Sequence, residues 1–327
     1  MSKNCIDGDV EGAEVSRTDI DLSIVAPVYN EAATLNEFFS RLVSQLQSLN
    51  FKYEIILVND GSTDASSEII ERLSFSHPEL IGLEFTRNFG HQFAISAGLA
   101  HANGKRVIIM DSDLQDPPEV IPKLLERSDA GFEVVYGVRR TRKENFFKKF
   151  CYYAFYRILK LFSSIDIPPD SGDFCVITHE VVHHLVSFPE RNRFLRGLRS
   201  WVGYRQCGVE YDRDARFAGK PKYTIRTLVK LALDGLVSFS YRPLRAISIL
   251  GMLVSLGSFA LAVFYLFQQV QFGLSPPGFA STMVAIFFFS GLQLVTLGII
   301  GEYIGRIYEE VKRRPHYLIR RVVQRKQ

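Results

Sequence analysis

Between residues 246 and 301 the chain carries no Asp, Glu, Lys or Arg, a run of 56 residues in a sequence of 23% charged residues. Side chains of this kind have to leave water, into either a protein core or a bilayer. The run divides into two apolar stretches, 247–267 and 280–300. At about 1.5 Å per residue, each crosses an apolar layer of about 30 Å. Gly273, Pro276, Pro277 and Gly278 lie between them and read as a turn. The expectation is a C-terminal two-helix transmembrane hairpin over residues 244–303.

The flanks set its direction. Residues 213–245 hold eight Lys or Arg against Asp214 and Asp234, and residues 306–326 hold eight more against Glu309 and Glu310. Basic flanks stay on the cytosolic side. The chain is therefore expected to be integral to an inner or plasma membrane, with its N-terminal domain and both termini in the cytosol. Residues 304–327 read as a basic tail. Residues 223–243 alternate Ile225, Leu228, Val229 and Leu236 with Arg226, Lys230 and Asp234 at helical spacing. That pattern predicts an amphipathic helix on the bilayer surface. The aromatic and basic residues 146–162 repeat it, either as a second surface helix or as a domain helix.

The rest of the composition removes other classes. A net charge of +4 over 327 residues gives no footprint for nucleic acid. Cys5, Cys151, Cys175 and Cys207 lie far apart, without the pairs of a disulfide framework or a zinc ribbon. Residues 1–20 lack the basic start and apolar run of a secretory signal and read as a disordered tail.

Residues 21–222 remain for one soluble domain. Strands are predicted at 22–28, 54–59, 80–86 and 106–111, with helices near 33–48, 64–74, 91–102 and 118–127. Alternation of this kind predicts a doubly wound α/β sheet with ligands at the carboxyl ends of its strands. No GxGxxG follows the first strand and no GxxxxGK[ST] occurs, so the usual phosphate cradles are absent. Polar clusters stand at three strand ends instead: residues 27–31 (PVYNE), 59–64 (NDGSTD) and 111–116 (DSDLQD). Each alone is an ordinary turn or helix cap. Together they should form one rim, with carboxylates for a base or ribose and hard oxygen ligands for Mg²⁺ or Mn²⁺.

The same residues carry a resemblance. Residues 25–35 (VAPVYNEAATL), 58–64 (VNDGSTD), 88–99 (NFGHQFAISAGL), 111–119 (DSDLQDPPE), 171–174 (SGDF) and 189–202 (PERNRFLRGLRSWV) are similar to inverting family-2 glycosyltransferases of GT-A fold. With the two apolar stretches, the chain resembles the polyisoprenyl-phosphate glycosyltransferases, which include dolichol-phosphate mannose synthase and the bactoprenol glucosyltransferases. The resemblance implies a metal-dependent hexosyltransferase that moves a sugar, glucose from UDP-glucose first among them, to undecaprenyl phosphate. It implies that Pro27, Glu31, Asp60 and Asp111 bind the donor. Asp111, Asp113 and Gln115 would hold the metal, and Asp113, Asp173 and Arg216 would serve the reaction. GDP-mannose with dolichyl phosphate, or an aminosugar nucleotide, are the alternative substrates. A homo-oligomer, in tetrameric form, is implied as well. Where such families read Gly-x-Ser-Lys-Tyr, this chain has Gly219-Lys220-Pro221-Lys222-Tyr223, and the QxxRW of processive synthases is absent.

The acceptor also has a physical argument. Arg139, Arg140, Arg142, Lys143, Lys148 and Lys149 face the single acid Glu144. A basic run leading from a strand end toward the membrane suits a lipid phosphate, with Arg139 and Lys148 as its contacts. Two other classes compete with this reading. His179-Glu180-Val181-Val182-His183 fits the HExxH pattern of zinc proteases, without an evident third ligand. A noncatalytic sugar-nucleotide-binding scaffold could use the same fold.

Overall fold

A computed structural model describes residues 20–140, 171–191, 193–212, 242–272 and 278–324. The N-terminal tail, the basic run after Arg140 with Lys148, and the segment holding Arg216 and the expected surface helix lie outside the described residues.

An eight-stranded sheet organises the larger part of the described residues, in the order β7-β5-β6-β4-β1-β2-β3-β8. β1 (Leu22–Val28) stands near its middle and is buried along its whole length. Its sequence LSIVAPV is apolar on both faces, as a strand covered by helices on both sides must be. It pairs in parallel with β2 (Tyr53–Asn59) and β4 (Arg106–Ile109), and β2 pairs in parallel with β3 (Leu80–Phe85). β5 (Val134–Arg139) and β6 (Ser171–Thr178) extend the sheet, β6 lying antiparallel to both β4 and β5. β7 (Gln206–Tyr211) closes that edge, parallel to β5.

Helices cover both faces. In α1 (Leu35–Ser48), Leu35, Phe38, Phe39, Leu42, Val43 and Leu46 are buried, a stripe at spacings of three and four. Each such side chain contributes about 1.5–3 kcal/mol of burial free energy. α2 (Ser66–Ser76), α3 (His91–His101) and α4 (Ile121–Asp129) follow β2, β3 and β4. α3 lies so close to β1 that a Cβ at Gly98 would sit 2.2 Å from Val25 Cγ1. Only a residue without a side chain permits that approach. Two shorter helices, α5 (His179–Ser187) and α6 (Leu195–Trp201), follow β6. The predicted parallel α/β core is thus present, with strand bounds within one or two residues of expectation.

Two long helices complete the chain: α7 (Arg242–Phe272) and α8 (Phe279–Val311). Both run past the expected stretches at 247–267 and 280–300. Within α8, Phe288–Val311 is long and apolar enough to cross a membrane, with none of that segment buried in the protein. Large apolar side chains such as Phe259 and Leu294 are 70% exposed, which a water-facing helix would not sustain. After α8 the chain returns to the sheet. β8 (Ile319–Val323) pairs antiparallel with β3, and Arg321 forms ion pairs with Glu84 and Glu71. This edge strand was not foreseen, because IRRVV reads as part of a charged tail until a partner edge is known.

Candidate active site

The three polar clusters converge at the carboxyl ends of β1, β2 and β4, where hydrogen bonds tie them into one rim. Asn30 N donates to Ser62 Oγ at 3.0 Å, and Thr63 N donates to Asn30 Oδ1 at 2.8 Å. Glu31 N donates to Ser66 Oγ at 3.1 Å, and Ala32 N to Asp64 Oδ2 at 3.0 Å. The third cluster joins through Ser112, whose hydroxyl donates to the Pro27 carbonyl at 2.8 Å. Thr34 Oγ1 lies 3.2 Å from Glu31 Oε2 and 3.4 Å from the Ser112 carbonyl. Asn30 and Leu114 adopt positive φ, 54° and 62°. Such left-handed residues are sparsely populated outside glycine and recur where a loop is held in a fixed shape.

Asp60 holds a neighbouring loop. Its carboxylate accepts Phe89 N at 2.7 Å and Gly90 N at 3.0 Å. Burial raises its pKa, and these two N–H groups oppose that rise. Gly61 turns beneath the same loop at φ +64°, where a Cβ would lie 2.4 Å from the Arg87 carbonyl carbon. Pro27 is buried with its carbonyl already engaged. The structure therefore gives Pro27 and Asp60 a part in shaping the rim.

The acidic centre contains two residues to which sequence reasoning gave no role. His91 Nε2 lies 3.6 Å from Asp111 Oδ1 and 3.5 Å from Asp173 Oδ2. Arg196 grips Asp173 with a two-pronged contact, Nε to Oδ1 at 2.8 Å and Nη2 to Oδ2 at 3.0 Å. The result is a continuous chain of alternating charge, Arg196–Asp173–His91–Asp111, reaching from α6 across β6 to the start of α3 and the end of β4. Both missed residues stand inside recognised stretches, NFGHQ and PERNRFLRG. Nothing local to either stretch shows that they meet.

Electrostatics follow from this chain. Burial penalises the charged form of Asp173, but Arg196 and His91 overcome that penalty and hold the carboxyl well below its usual range. At Asp111 burial wins: helped by Asp116, Asp173 and Asp113 and opposed by His91, it lifts the carboxyl to about 6. Burial opposes the charged form of His91 as well, yet Asp173 and Asp111 raise it to about 9. The side chain of His91 keeps 43% of its surface exposed, so water screens part of that pull. The two carboxylates thus favour the protonated form of His91, which lies between them.

Whether a divalent ion fits here turns on the free ligand atoms. Asp111 Oδ1 is buried without a hydrogen-bond partner, an unsatisfied lone-pair position of the kind a cation takes. Asp113 is 8% exposed, and its Oδ1 accepts Gln115 N at 3.1 Å. Among the described residues, no three His, Cys, Asp or Glu side chains stand together as a metal site. Two carboxylates fit a cation that draws its other ligands from Gln115, water and a bound diphosphate.

Arg139 ends β5 on the other side. Its guanidinium lies among Asp116 and Tyr211, which raise its pKa against the opposing effect of burial. Tyr211 donates its hydroxyl to Asp116. Arg139 Nε is buried with no hydrogen-bond partner among the described residues, while the rest of the guanidinium is engaged by Asp116 and Tyr211. Lys148 and Arg216 lie outside the described residues.

The HExxH segment is engaged elsewhere. His179 Nδ1 is 3.1 Å from the Gly104 carbonyl, and Glu180 accepts the Tyr204 hydroxyl at 2.9 Å. These contacts fasten α5 beside the ends of β4 and β6 opposite to those that carry Asp111 and Asp173.

Residues 23–186 match the model of glycosyl transferase family 2. An uncharacterised glycosyltransferase of Synechocystis is 45% identical over 301 residues, 92% of this chain and 95% of its own length. The SfII prophage-derived bactoprenol glucosyl transferase of Shigella flexneri is 42% identical over 302 residues, 92% of this chain and 97% of its own. Among solved structures, the Pyrobaculum calidifontis mannosyltransferase in complex with GDP-Man and Mn²⁺ covers 90% of this chain and 88% of its own at 17% identity and a TM-score of 0.46. The strand-end rim, the acidic centre behind it and the full-length relatives agree: this chain is a member of glycosyl transferase family 2, close to the bactoprenol glucosyl transferases.

Proposed function

We propose that the protein transfers a hexose, glucose from UDP-glucose in the first instance, to a polyisoprenyl phosphate at the cytosolic face of a membrane. The observation that carries this reading is the pairing of the Asp111–Asp113 centre with Arg139. One side of the site offers carboxylates for a metal-bound diphosphate, and the other a guanidinium beside Asp116 and Tyr211 whose Nε has no hydrogen-bond partner, a cation for the acceptor phosphate. Support for the acceptor class comes from the name of the Shigella flexneri relative and from the apolar helix Phe288–Val311.

A phosphate acceptor needs little activation, since its oxygen is anionic near neutral pH. The chain's work is then orientation and stabilisation of the leaving group. Glu31 and the Asp60-held loop bind the nucleoside. Asp111, Asp113 and Gln115 would hold Mg²⁺ or Mn²⁺, which when bound neutralises the departing diphosphate. Arg216 adds positive charge there. Asp173, fixed by Arg196 and His91, shapes the floor beside the sugar. Arg139 and Lys148 hold the lipid phosphate in line with the anomeric carbon, and one displacement inverts its configuration.

In this reading residues 21–222 form the catalytic domain, 223–243 lie on the bilayer surface, and α7 and α8 span it with both termini cytosolic. The working form is a homo-oligomer, with a tetramer as the state to test by mass photometry. Purified protein should be given radiolabelled UDP-glucose, UDP-N-acetylglucosamine or GDP-mannose with undecaprenyl or dolichyl phosphate. Label in the lipid phase from UDP-glucose supports the reading, and label from GDP-mannose alone replaces the donor. Failure with every pair would favour a noncatalytic binding protein.

A further inference from the structure

Away from the acidic centre, the end of α8 meets the catalytic domain around a cavity of about 720 Å³. Its walls come from Arg87 and Phe89 after β3, from Arg191, from Gly305 and Arg306 of α8, and from Arg314. The volume is that of a small-molecule site. Arg87 and Phe89 belong to the loop that Asp60 holds, and none of the residues assigned above to metal or acceptor lines the cavity.

Its charge is unevenly used. Glu302 and Glu309 also face the cavity, and each is matched: Arg306 Nη2 lies 3.1 Å from Glu302, and Arg191 Nε lies 3.4 Å from Glu309. Arg87 and Arg314 take part in no ion pair among the described residues. Arg87 is held in place, its guanidinium 4.0 Å above the Phe89 ring and its Nη1 donating to the Asn88 carbonyl at 2.9 Å. His316, also in the wall, is made less basic by burial and by Arg193 and Arg191. Four guanidinium groups, of Arg87, Arg191, Arg306 and Arg314, against the two carboxylates of Glu302 and Glu309 therefore set the sign of the interior. At Gly305 an added Cβ would meet nothing within 4 Å, so the floor is open.

Position names the ligand. Glu302 is the first charged residue after the uncharged run, and Gly305 and Arg306 lie about one helical turn beyond its end. If α8 spans the bilayer, as the proposed function has it, this turn stands at the height of the headgroups of the cytosolic leaflet, where anionic phosphodiesters are concentrated. Guanidinium groups match phosphate oxygens in geometry as well as charge.

We infer that this cavity binds the phosphate of an anionic membrane lipid, with Arg87 and Arg314 as its phosphate contacts and Gly305 as the open floor beneath the headgroup. The inference rests on the membrane-spanning reading of α8, and two separate measurements test the two claims. Full-length protein in an uncharged detergent is titrated calorimetrically with dioctanoyl-phosphatidylglycerol, dioctanoyl-phosphatidylcholine or inorganic phosphate. Phosphatidylglycerol should bind saturably and more tightly than the other two. Arg314→Gln should weaken it about tenfold, the worth of one charge-assisted contact. Gly305→Met, whose side chain enters open space, should weaken it comparably while leaving the helical circular dichroism unchanged. Equal binding by both variants, or inorganic phosphate binding as tightly as the lipid, would overturn the inference. Alkaline carbonate washing of native membranes tests the spanning reading alone. Retention in the pellet with no lipid binding sinks only the cavity's assignment, whereas release into the supernatant removes its lipid source as well.

Discussion

Arg196 fixes the acidic centre at the scale of single residues. It is the permanent cation that offsets burial of Asp173, which is 8% exposed in its side chain. Arg196→Met should cost about 2–3 kcal/mol in urea unfolding at pH 7, since a buried carboxylate losing its partner is strongly destabilising. The pH dependence has a definite sign. Because the folded-state pKa of Asp173 is depressed, its contribution is present above the ordinary carboxylate pKa and lost as pH falls toward the folded value. The stability gap between wild type and Arg196→Met should therefore narrow between pH 5 and pH 3, by rough expectation from carboxylate titration. A constant gap would assign Arg196 a packing role only. Asp111 has the opposite sign. Its pKa is raised to about 6, so at pH 7 the fold opposes its charge, and Asp111→Asn should gain about 1 kcal/mol of stability while abolishing transfer. A destabilised Asp111→Asn would show that attraction by His91 outweighs burial. Asp111 and Asp113 were legible in the sequence because paired carboxylates after an apolar strand are a local pattern. His91 and Arg196 were not, because their meeting depends on β6 lying against β4 in antiparallel register, a pairing that joins residues far apart in sequence.

Among the elements, α3 and β1 are the most tightly fitted pair. Gly98→Val would force side-chain atoms into Val25, whose Cγ1 is already 2.2 Å from a hypothetical Cβ. Overpacking of this kind costs about 1–3 kcal/mol or more, and α3 carries His91 at its first turn. The substitution should thus lower both Tm and activity. Gly291→Ala in α8, where nothing lies within 4 Å of the added carbon, is the matching control and should leave both unchanged. Thermal unfolding of the two variants separates a packing constraint from a general intolerance of glycine replacement. Periodicity revealed the parallel core, since an almost wholly apolar β1 followed by an amphipathic α1 has few other solutions. It concealed β8. Ile319, Val322 and Val323 alternate with no helix or strand rule strong enough to outweigh Arg320 and Arg321, and only the free edge of β3 turns them into a strand.

The whole molecule joins a sheet that ends in β8 to two long apolar helices, so the chain leaves the catalytic domain and comes back to it. That return agrees with both ends of the hairpin facing the same compartment. A cysteine introduced by Ser275→Cys, between α7 and α8, should react with an impermeant maleimide added outside intact cells. One introduced by Gln324→Cys should not. The reverse pattern would invert the proposed orientation. The central claim is that the Asp111–Asp113 centre releases a sugar from its nucleotide onto a lipid phosphate, and the most direct measurement follows that transfer. Radiolabelled UDP-glucose, undecaprenyl phosphate and Mg²⁺ or Mn²⁺ are incubated with purified wild-type protein and with Asp113→Ala. The prediction is labelled lipid from wild type and a loss of at least about a hundredfold in the variant, the scale on which removal of leaving-group stabilisation acts. Full transfer by Asp113→Ala would contradict it.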